Sequence, residues 1–379
     1  MRIEQNLWST EKGWLHPGGG TLKDKAQLAF VFGATDLLKN PEHFAEIKKM
    51  VPSVPILGCS TSGEIFGTQV FDNTISLTTV FFEKSTIQGA QIDLTDIRSS
   101  FEAGERLARA IDRDGLLHAF VLSDGLQING SELVDGLLKH LPGNITVTGG
   151  LAGDGARFGE TLVFWDDVPQ KQRVAIVGFY GSHLKIGYGS LGGWDPFGPE
   201  RLITRSKENV LFELDDQSAL EVYKRYLGEH AKGLPATGLL FPLSIRTKSG
   251  ESGIVRTILS VNEEEQSMTF AGDVPEGAYA RFMKANFERL IDGAQGAAKT
   301  GFQAVGSISP DLAILISCVG RKLILKQRTE EEVEAAQDIL GKKTIVSGFY
   351  SYGEISPFTP GAKCALHNQT MTITLFSES

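Results

Sequence analysis

Two loops, GCSTSGEI at 58–65 and GFYSYGEI at 348–355, gather the residue types from which a binding site can be made. Each follows a short apolar strand and carries a glycine-framed glutamate, Glu64 or Glu354. The first adds Cys59, Ser60 and Thr61, the second Tyr350, Ser351 and Tyr352. Ligands of α/β folds favour the carboxyl ends of strands, so two such loops could present these groups to a small molecule. A plainer reading stands beside it: the glycines permit a tight strand exit and the hydroxyls cap backbone groups. Nucleophilic catalysis has little support. The spacing G58-C-S-T-S-G63 departs from the Gly-x-Ser-x-Gly elbow, and no motif places a companion histidine. Two carboxylates also invite an acid–base role, but sequence gives no separation between them.

Other chemistry-bearing residues are scattered. GGLAGDG (149–155) has the glycines of a phosphate loop, yet RFGETLVFWDD follows where a helix would be required, so a turn or pocket wall with Asp154 as its cap is expected. Arg256, Arg281 and Arg321 lie in or beside apolar segments, unusual for a guanidinium unless it is paired. They could hold a ligand carboxylate or, equally, Glu354 and Asp311. Of seven histidines, His43, His140 and His230 sit near helix ends, and no pair has metal-site spacing. His367, just after the second glutamate loop, faces the presumed pocket, and His183 lies ahead of a turn-rich stretch at 189–202.

The elements that position these residues repeat along the chain. QLAFVFG, an Asn40-Pro41 helix start, a stripe of Phe44, Ile47 and Val51, a strand near Ile56-Leu57, the loop and ISLTTVFF follow in order. The order recurs as DLAILISC, a Thr329-x-x-Glu332 capping box, a stripe of Val333, Ala336 and Leu340, a strand near Ile345-Val346, the loop and MTITLF. Asn73 and Asn368 precede the two last strands. A partial third copy runs from HAFVLS (118–123) through a helix opened by Ser131 to ITVT (145–148) and GGLAGDG. The stretch 173–191 reads as a hairpin, and further helices are expected near 100–112, 217–230 and 281–305. The fold class is α/β, with two related domains of mixed sheets and flanking helices, built by internal duplication of a strand-helix-strand-loop-strand unit. Domains are expected at 25–218 and 219–379.

Composition bounds the function. The 379 residues are 41% hydrophobic, enough for a sizeable core. A net charge of −9 argues against nucleic acid and anionic membranes. Three scattered cysteines (Cys59, Cys318, Cys364) form no disulfide framework or metal knuckle. Neither a signal-peptide run nor a membrane-length apolar stretch is present, which reads as a cytoplasmic protein.

The chain resembles the FIST-domain proteins, predominantly bacterial sensory proteins with paired N- and C-terminal FIST domains. The resemblance rests on GCSTSGEI, GGLAGD (149–154), GWDPFGP (193–198, plus Pro199), VLFELDDQSALEVYKRYLG (210–228), IVRTIL (254–259), FAGDVPEGA (270–278), SCVGR (317–321), GFYSYGEISPF (348–358) and LHNQTMTITL (366–375). It implies a non-enzymatic small-ligand sensor that signals through a separate partner, such as a histidine kinase or a cyclic-di-GMP enzyme. One stand-alone branch of the family binds haem b and senses nitric oxide; the chain's length and single-module layout fit it. A b-type haem needs one proximal imidazole, for which His367 ranks first and His183 second. Cys59, Ser60, Glu64, Asp154, Arg256, Arg321, Tyr350, Tyr352, Glu354 and His367 are the ligand-binding candidates. The alternatives are an amino-acid or metabolite sensor, an enzyme (amidase-like or transferase) in the same cleft, and an interaction scaffold.

Overall fold

The computed structural model describes residues 1–247, 254–306, 309–358 and 361–379. Its body is three copies of one unit. The first comprises β1 (Arg2–Ser9), β2 (Leu28–Gly33), α1 (Pro41–Met50), β3 (Ile56–Ser60), β4 (Glu64–Phe66) and β5 (Thr74–Phe81). The second comprises β6 (Thr86–Asp93), α2 (Ser100–Arg109), β7 (Leu116–Ser123), α3 (Gly130–His140), β8 (Thr146–Leu151), β9 (Val163–Trp165) and β10 (Arg173–Tyr180). The third begins with β11 (Leu184–Leu191). After an inserted segment it continues through α4 (Phe287–Ala304), β12 (Leu312–Cys318), α5 (Val319–Leu325) and α6 (Thr329–Leu340). It ends with β13 (Ile345–Ser351), β14 (Gly353–Pro357), β15 (Cys364–His367) and β16 (Met371–Glu378).

In every unit two inner strands run parallel, the last strand lies antiparallel to the first, and the outer strand lies antiparallel to the last. The pairing makes Gly58, Gly149 and Gly348 equivalent, opposite Val31, Val121 and Leu315. A Cβ at Gly149 would stand 1.8 Å from the Val121 carbonyl, and one at Gly348 1.9 Å from that of Leu315, so a side chain cannot be accommodated there. Before each last strand one residue takes a left-handed conformation: Asn73, Gln172 and Gln369, with φ of 57°, 53° and 65°. The expected partial copy is therefore complete. The true partner of Asn73 is Gln369, one residue beyond the expected Asn368.

The units exchange strands in a cycle. The first lends β4 to β13 of the third, the third lends β14 to β8 of the second, and the second lends β9 to β3 of the first. The inner faces of the three sheets meet in one core, where Phe30 packs edge-on against Phe120 at 5.7 Å and Phe32 against Phe349 at 4.8 Å. The helices cover the outer faces: α1 on the first sheet, α2 and α3 on the second, α4 and α6 on the third. Asn40 and Asn129 cap α1 and α3 by accepting from first-turn amides, each cap contributing about 1 kcal/mol.

Between β11 and α4 the chain builds an antiparallel sheet over 194–285, with a helix at Ala219–Leu227 and a separate core around Tyr223, Phe270 and Phe282. The boundary at 218/219 falls inside this sheet region, at the start of that helix. Four local expectations need correcting. Residues 173–191 are not a hairpin, because β10 pairs with β6 and β7 while β11 pairs with β16 in another sheet. Arg328, not Thr329, occupies the cap position of α6, and Glu332 turns inward to an arginine instead of back to the cap. Asn129, not Ser131, caps α3. Finally, 281–285 is strand, and α4 begins only at Phe287.

Candidate functional site

The three loops that leave β3, β8 and β13 meet at one end of the body, joined by backbone hydrogen bonds. Ser62 N–H donates to the Tyr350 carbonyl at 2.8 Å, Gly153 N–H to Ser60 at 3.0 Å, and Tyr352 N–H to Leu151 at 3.2 Å, closing a triangle across all three units. The longest of these loops, 152–162, does most of the bridging. Asp154 draws it together, its carboxylate accepting the N–H groups of Phe158, Gly159 and Glu160, each at 2.9 Å. The Tyr352 hydroxyl from the third unit donates to the same carboxylate, and Phe158 stacks on the Tyr352 ring at 4.5 Å. Ser62 from the first unit accepts from Gly155 N–H at 3.1 Å. Phe158 itself holds a φ of 51°, a costly conformation for a bulky residue that is fixed here by the bonds around it. Arg157, exposed, pairs with Asp36 of the first unit at 2.7 Å. Asp154 and Tyr352 thus lie together, and each side chain is spoken for by the neighbouring unit.

The two glutamates sit below this triangle, at different seams. Thr61 donates its hydroxyl to Glu64, and Thr74 donates both its N–H (3.1 Å) and its hydroxyl (2.6 Å). At the seam between the third and second units, Ser351 (2.6 Å) and Thr370 N–H (3.1 Å) and hydroxyl (2.9 Å) treat Glu354 in the same way. Both carboxyls are buried, and desolvation raises them, Glu64 to about 7 and Glu354 to about 8, against the opposing pull of those hydrogen bonds. The equivalent position at the remaining seam is Val163, fully buried opposite Cys59. An acid from elsewhere, Asp124, accepts the Thr161 hydroxyl and the Gln172 N–H there.

The other candidates are apart from the triangle. Arg321 is fully buried against Glu332 (2.7 Å) and also donates to the carbonyls of Gly192 and Leu290; Tyr350 and Ser317 complete the Glu332 carboxylate at 2.7 and 2.8 Å. Its partner is therefore Glu332, where sequence offered Glu354 or Asp311. Arg256, lowered to about 10 by burial, ties the inserted sheet to the body through the carbonyls of Asp273 and Leu366 and the Ser131 hydroxyl. Half-buried Arg281 donates to the Gly198 carbonyl. Ser60 accepts from Leu162 N–H, and Cys59 is a core thiol pushed well up by burial. His367 is 4% exposed, its Nε2 is 2.9 Å from the Ser356 carbonyl, and burial lowers it to about 4. His183, on the surface, has Nδ1 2.8 Å from the Ser379 carbonyl.

Haem b needs an imidazole facing an apolar slot. Neither histidine offers one, and two surface cavities, beside Glu4 and His16 and beside Glu334, Asp338 and Lys342, are lined by neither His367 nor His183. This arrangement does not fit the group. Among the described residues no cluster of three or more His, Cys, Asp or Glu is set to hold a metal ion, and no helix is long and apolar enough to cross a membrane. Sequence reasoning missed Ser62, Phe158, Thr74, Thr370 and Glu332. The pairs Thr61/Thr74 and Ser351/Thr370 recur at matching repeat positions, a signal the self-comparison contained.

Comparison with known proteins finds two adjoining family matches. Residues 27–217 match the FIST N domain and residues 219–357 the FIST C domain. The chain is 24% identical over 371 residues to an uncharacterised protein of Methanocaldococcus jannaschii, covering 86% of this chain and 69% of that protein. A structure of cyanuric acid hydrolase aligns over 100% of this chain and 99% of its own at 9% identity, with a TM-score of 0.32. A second, of the enzyme from A. caulinodans, aligns over 78% and 99% at 11% identity, with a TM-score of 0.18. Likeness that faint carries no chemistry across.

Proposed function

The chain belongs to the FIST family, with its FIST N and FIST C domains in tandem, and on that premise we propose that it reads a small ligand at the triangle of loops and passes the signal to a separate protein. FIST domains are small-ligand sensory domains. The observation that supports this place is the 152–162 loop, which is held by Ser62 of one unit and Tyr352 of another. A ligand that competes for Asp154, Arg157 or Tyr352 alters all three units at once, which is what a sensor requires. The same groups supply no activated nucleophile, so binding is favoured over catalysis. A thermal-shift screen of amino acids and small metabolites, followed by hydrogen exchange on any hit, tests the proposal. Protection confined to residues 152–162 and 350–354 is expected. A hit that protects only a distant surface overturns the location.

The finer reading, with haem b as cofactor, nitric oxide as signal and a histidine kinase or cyclic-di-GMP enzyme as receiver, rests on resemblance to one branch of the family. Under it His367 would have to leave the Ser356 carbonyl. A Soret band that shifts with nitric oxide and vanishes in His367→Ala is its expected signature; a colourless protein that takes up no added haem sinks it. Co-purification with a kinase whose autophosphorylation responds to the chain tests the receiver.

A further inference from the structure

The two buried glutamates look like twins, but the hydroxyl beside each is wired differently. At Glu64 the Thr61 oxygen accepts the Gly63 N–H at 3.3 Å and gives its own hydrogen to the carboxylate. An ionised Glu64 therefore satisfies every member: three donors meet a charged acceptor, and Thr61 has both a donor and an acceptor. Were Glu64 protonated toward Thr61, the threonine hydrogen would have nowhere to go.

At Glu354 the count runs the other way. The Ser351 oxygen lies 2.6 Å from Glu354 Oε1 and 3.3 Å from the Ser317 carbonyl, so one hydrogen faces two acceptors. A proton on Oε1 resolves this. The carboxyl donates to Ser351, Ser351 donates to Ser317, and Oε2 keeps both bonds from Thr370. Buried polar groups are held with their partners complete, and leaving one unpaired costs about 1–3 kcal/mol.

The charged surroundings agree. Lys322, which donates to the Ser62 carbonyl at 2.9 Å and pairs with the exposed, water-screened Asp72, is a cation acting on Glu64. The cation acting on Glu354 is Arg321, already neutralised by Glu332. The remaining titratable neighbours of Glu354, the Cys318 thiol on β12 and His367 on β15, are both held uncharged by burial. Tyr352 on the preceding turn is neutral, raised by burial and by Asp154, and Arg256 lies beyond His367 with its donors on carbonyls and Ser131.

We propose that Glu354 carries a proton at neutral pH and holds it to higher pH than Glu64, making the seam between the third and second units, and not its twin, a proton-releasing switch in alkaline solution. The inserted sheet is moored to this seam. Thr257 N–H donates to Asn368 (3.2 Å), Asn368 to the Tyr352 carbonyl (3.2 Å), and Gln369 to Thr257 (3.1 Å), directly before Thr370. Loss of the proton leaves a buried charge and takes the Ser351 hydroxyl hydrogen away from the Ser317 carbonyl, so alkaline solution loosens the mooring. The raised values of about 8 for Glu354 and about 7 for Glu64 follow the same order. Because Glu354 binds its proton more tightly folded than unfolded, its contribution to stability falls as pH rises from about 4.5 to about 8 and is flat outside that window.

Infrared difference spectroscopy of the whole chain between pH 6 and 10 tests this. The carbonyl stretch of a protonated carboxylic acid should be present at pH 7 and disappear on alkaline titration. The part of the band that is lost last should be missing from Glu354→Gln, whose amide reproduces the neutral acid's donor and acceptor, and retained in Glu64→Gln. In the same samples, exchange of the Thr257 and Thr370 amides should accelerate with alkaline pH beyond the ordinary tenfold per unit in the natural chain and not in Glu354→Gln. A band that disappears no earlier in Glu354→Gln than in the natural chain, or a natural chain without the band at pH 7, overturns the proposal. The test involves no ligand, so the sensory reading stands or falls separately.

Discussion

Replacing Arg321 by methionine removes the cation from a fully buried pair while leaving an apolar chain of similar length. Glu332 keeps its bonds from Ser317 and Tyr350 but loses the guanidinium that donates to Oε2 at 2.9 and 2.7 Å. Breaking a buried pair from one side costs about 3–5 kcal/mol, because the surviving charge is uncompensated. The carbonyls of Gly192 and Leu290 lose their donors as well, roughly another 1 kcal/mol each. The total, about 5–7 kcal/mol, is a large part of the 5–15 kcal/mol typical of a folded protein. Urea unfolding followed by tryptophan fluorescence reads it as a lower midpoint at unchanged slope. The mechanism has its own signature. Arg321→Met with Glu332→Leu should recover about 3 kcal/mol, since removing both charges is far cheaper than removing one. A single variant that loses less than about 1.5 kcal/mol, or a double variant no better than the single, would refute the reasoning.

Tyr352→Phe keeps the stack on Phe158 but removes the hydroxyl from Asp154, at a cost of about 1–3 kcal/mol; faster hydrogen exchange at Phe158, Gly159 and Glu160 is the expected result. Val163→Glu places an acid at the third seam, where Ala152 and Arg173 stand in for the Thr61 and Thr74 of the first. Stability should fall by more than about 3 kcal/mol at pH 7 and partly return at acid pH, as thermal unfolding would show. Cys59, Cys318 and Cys364 are buried thiols raised by desolvation, so a thiol reagent should label none in the native protein and all three after unfolding.

The repeat was legible because its strands are apolar enough to be buried on both faces, as Leu28–Gly33 and Leu312–Cys318 show. Asn40 and Pro41 announced α1 by cap chemistry, which is local and therefore readable. The strand exchange was not legible. Residues Glu64–Phe66 have the same composition whether they return to their own sheet or cross to another. For the same reason 173–191 read as a hairpin: two strands joined by three residues pair by default, and only the tertiary context sends β11 to β16. The glutamates were found as special residues, but two of the hydroxyls that hold them, Thr74 and Thr370, lie ten and sixteen positions away. Arg321 was recognised as anomalous, while Glu332 was absorbed into a capping box that the helix does not use.

The cyclic exchange also governs how the molecule can come to exist. No unit completes its own sheet: β3 waits for β9, β8 for β14, and β13 for β4, so the second unit cannot be finished until residues 353–357, near the far end of the chain, have arrived. Pairings this remote in sequence are slow to form, and until they do they leave unpaired apolar edges that recruit other chains. Severing the chain at the 218/219 junction would therefore yield two fragments, each with a vacant strand position shaped for the other. Such fragments should fold only together, as partners in complementation and not as independent domains.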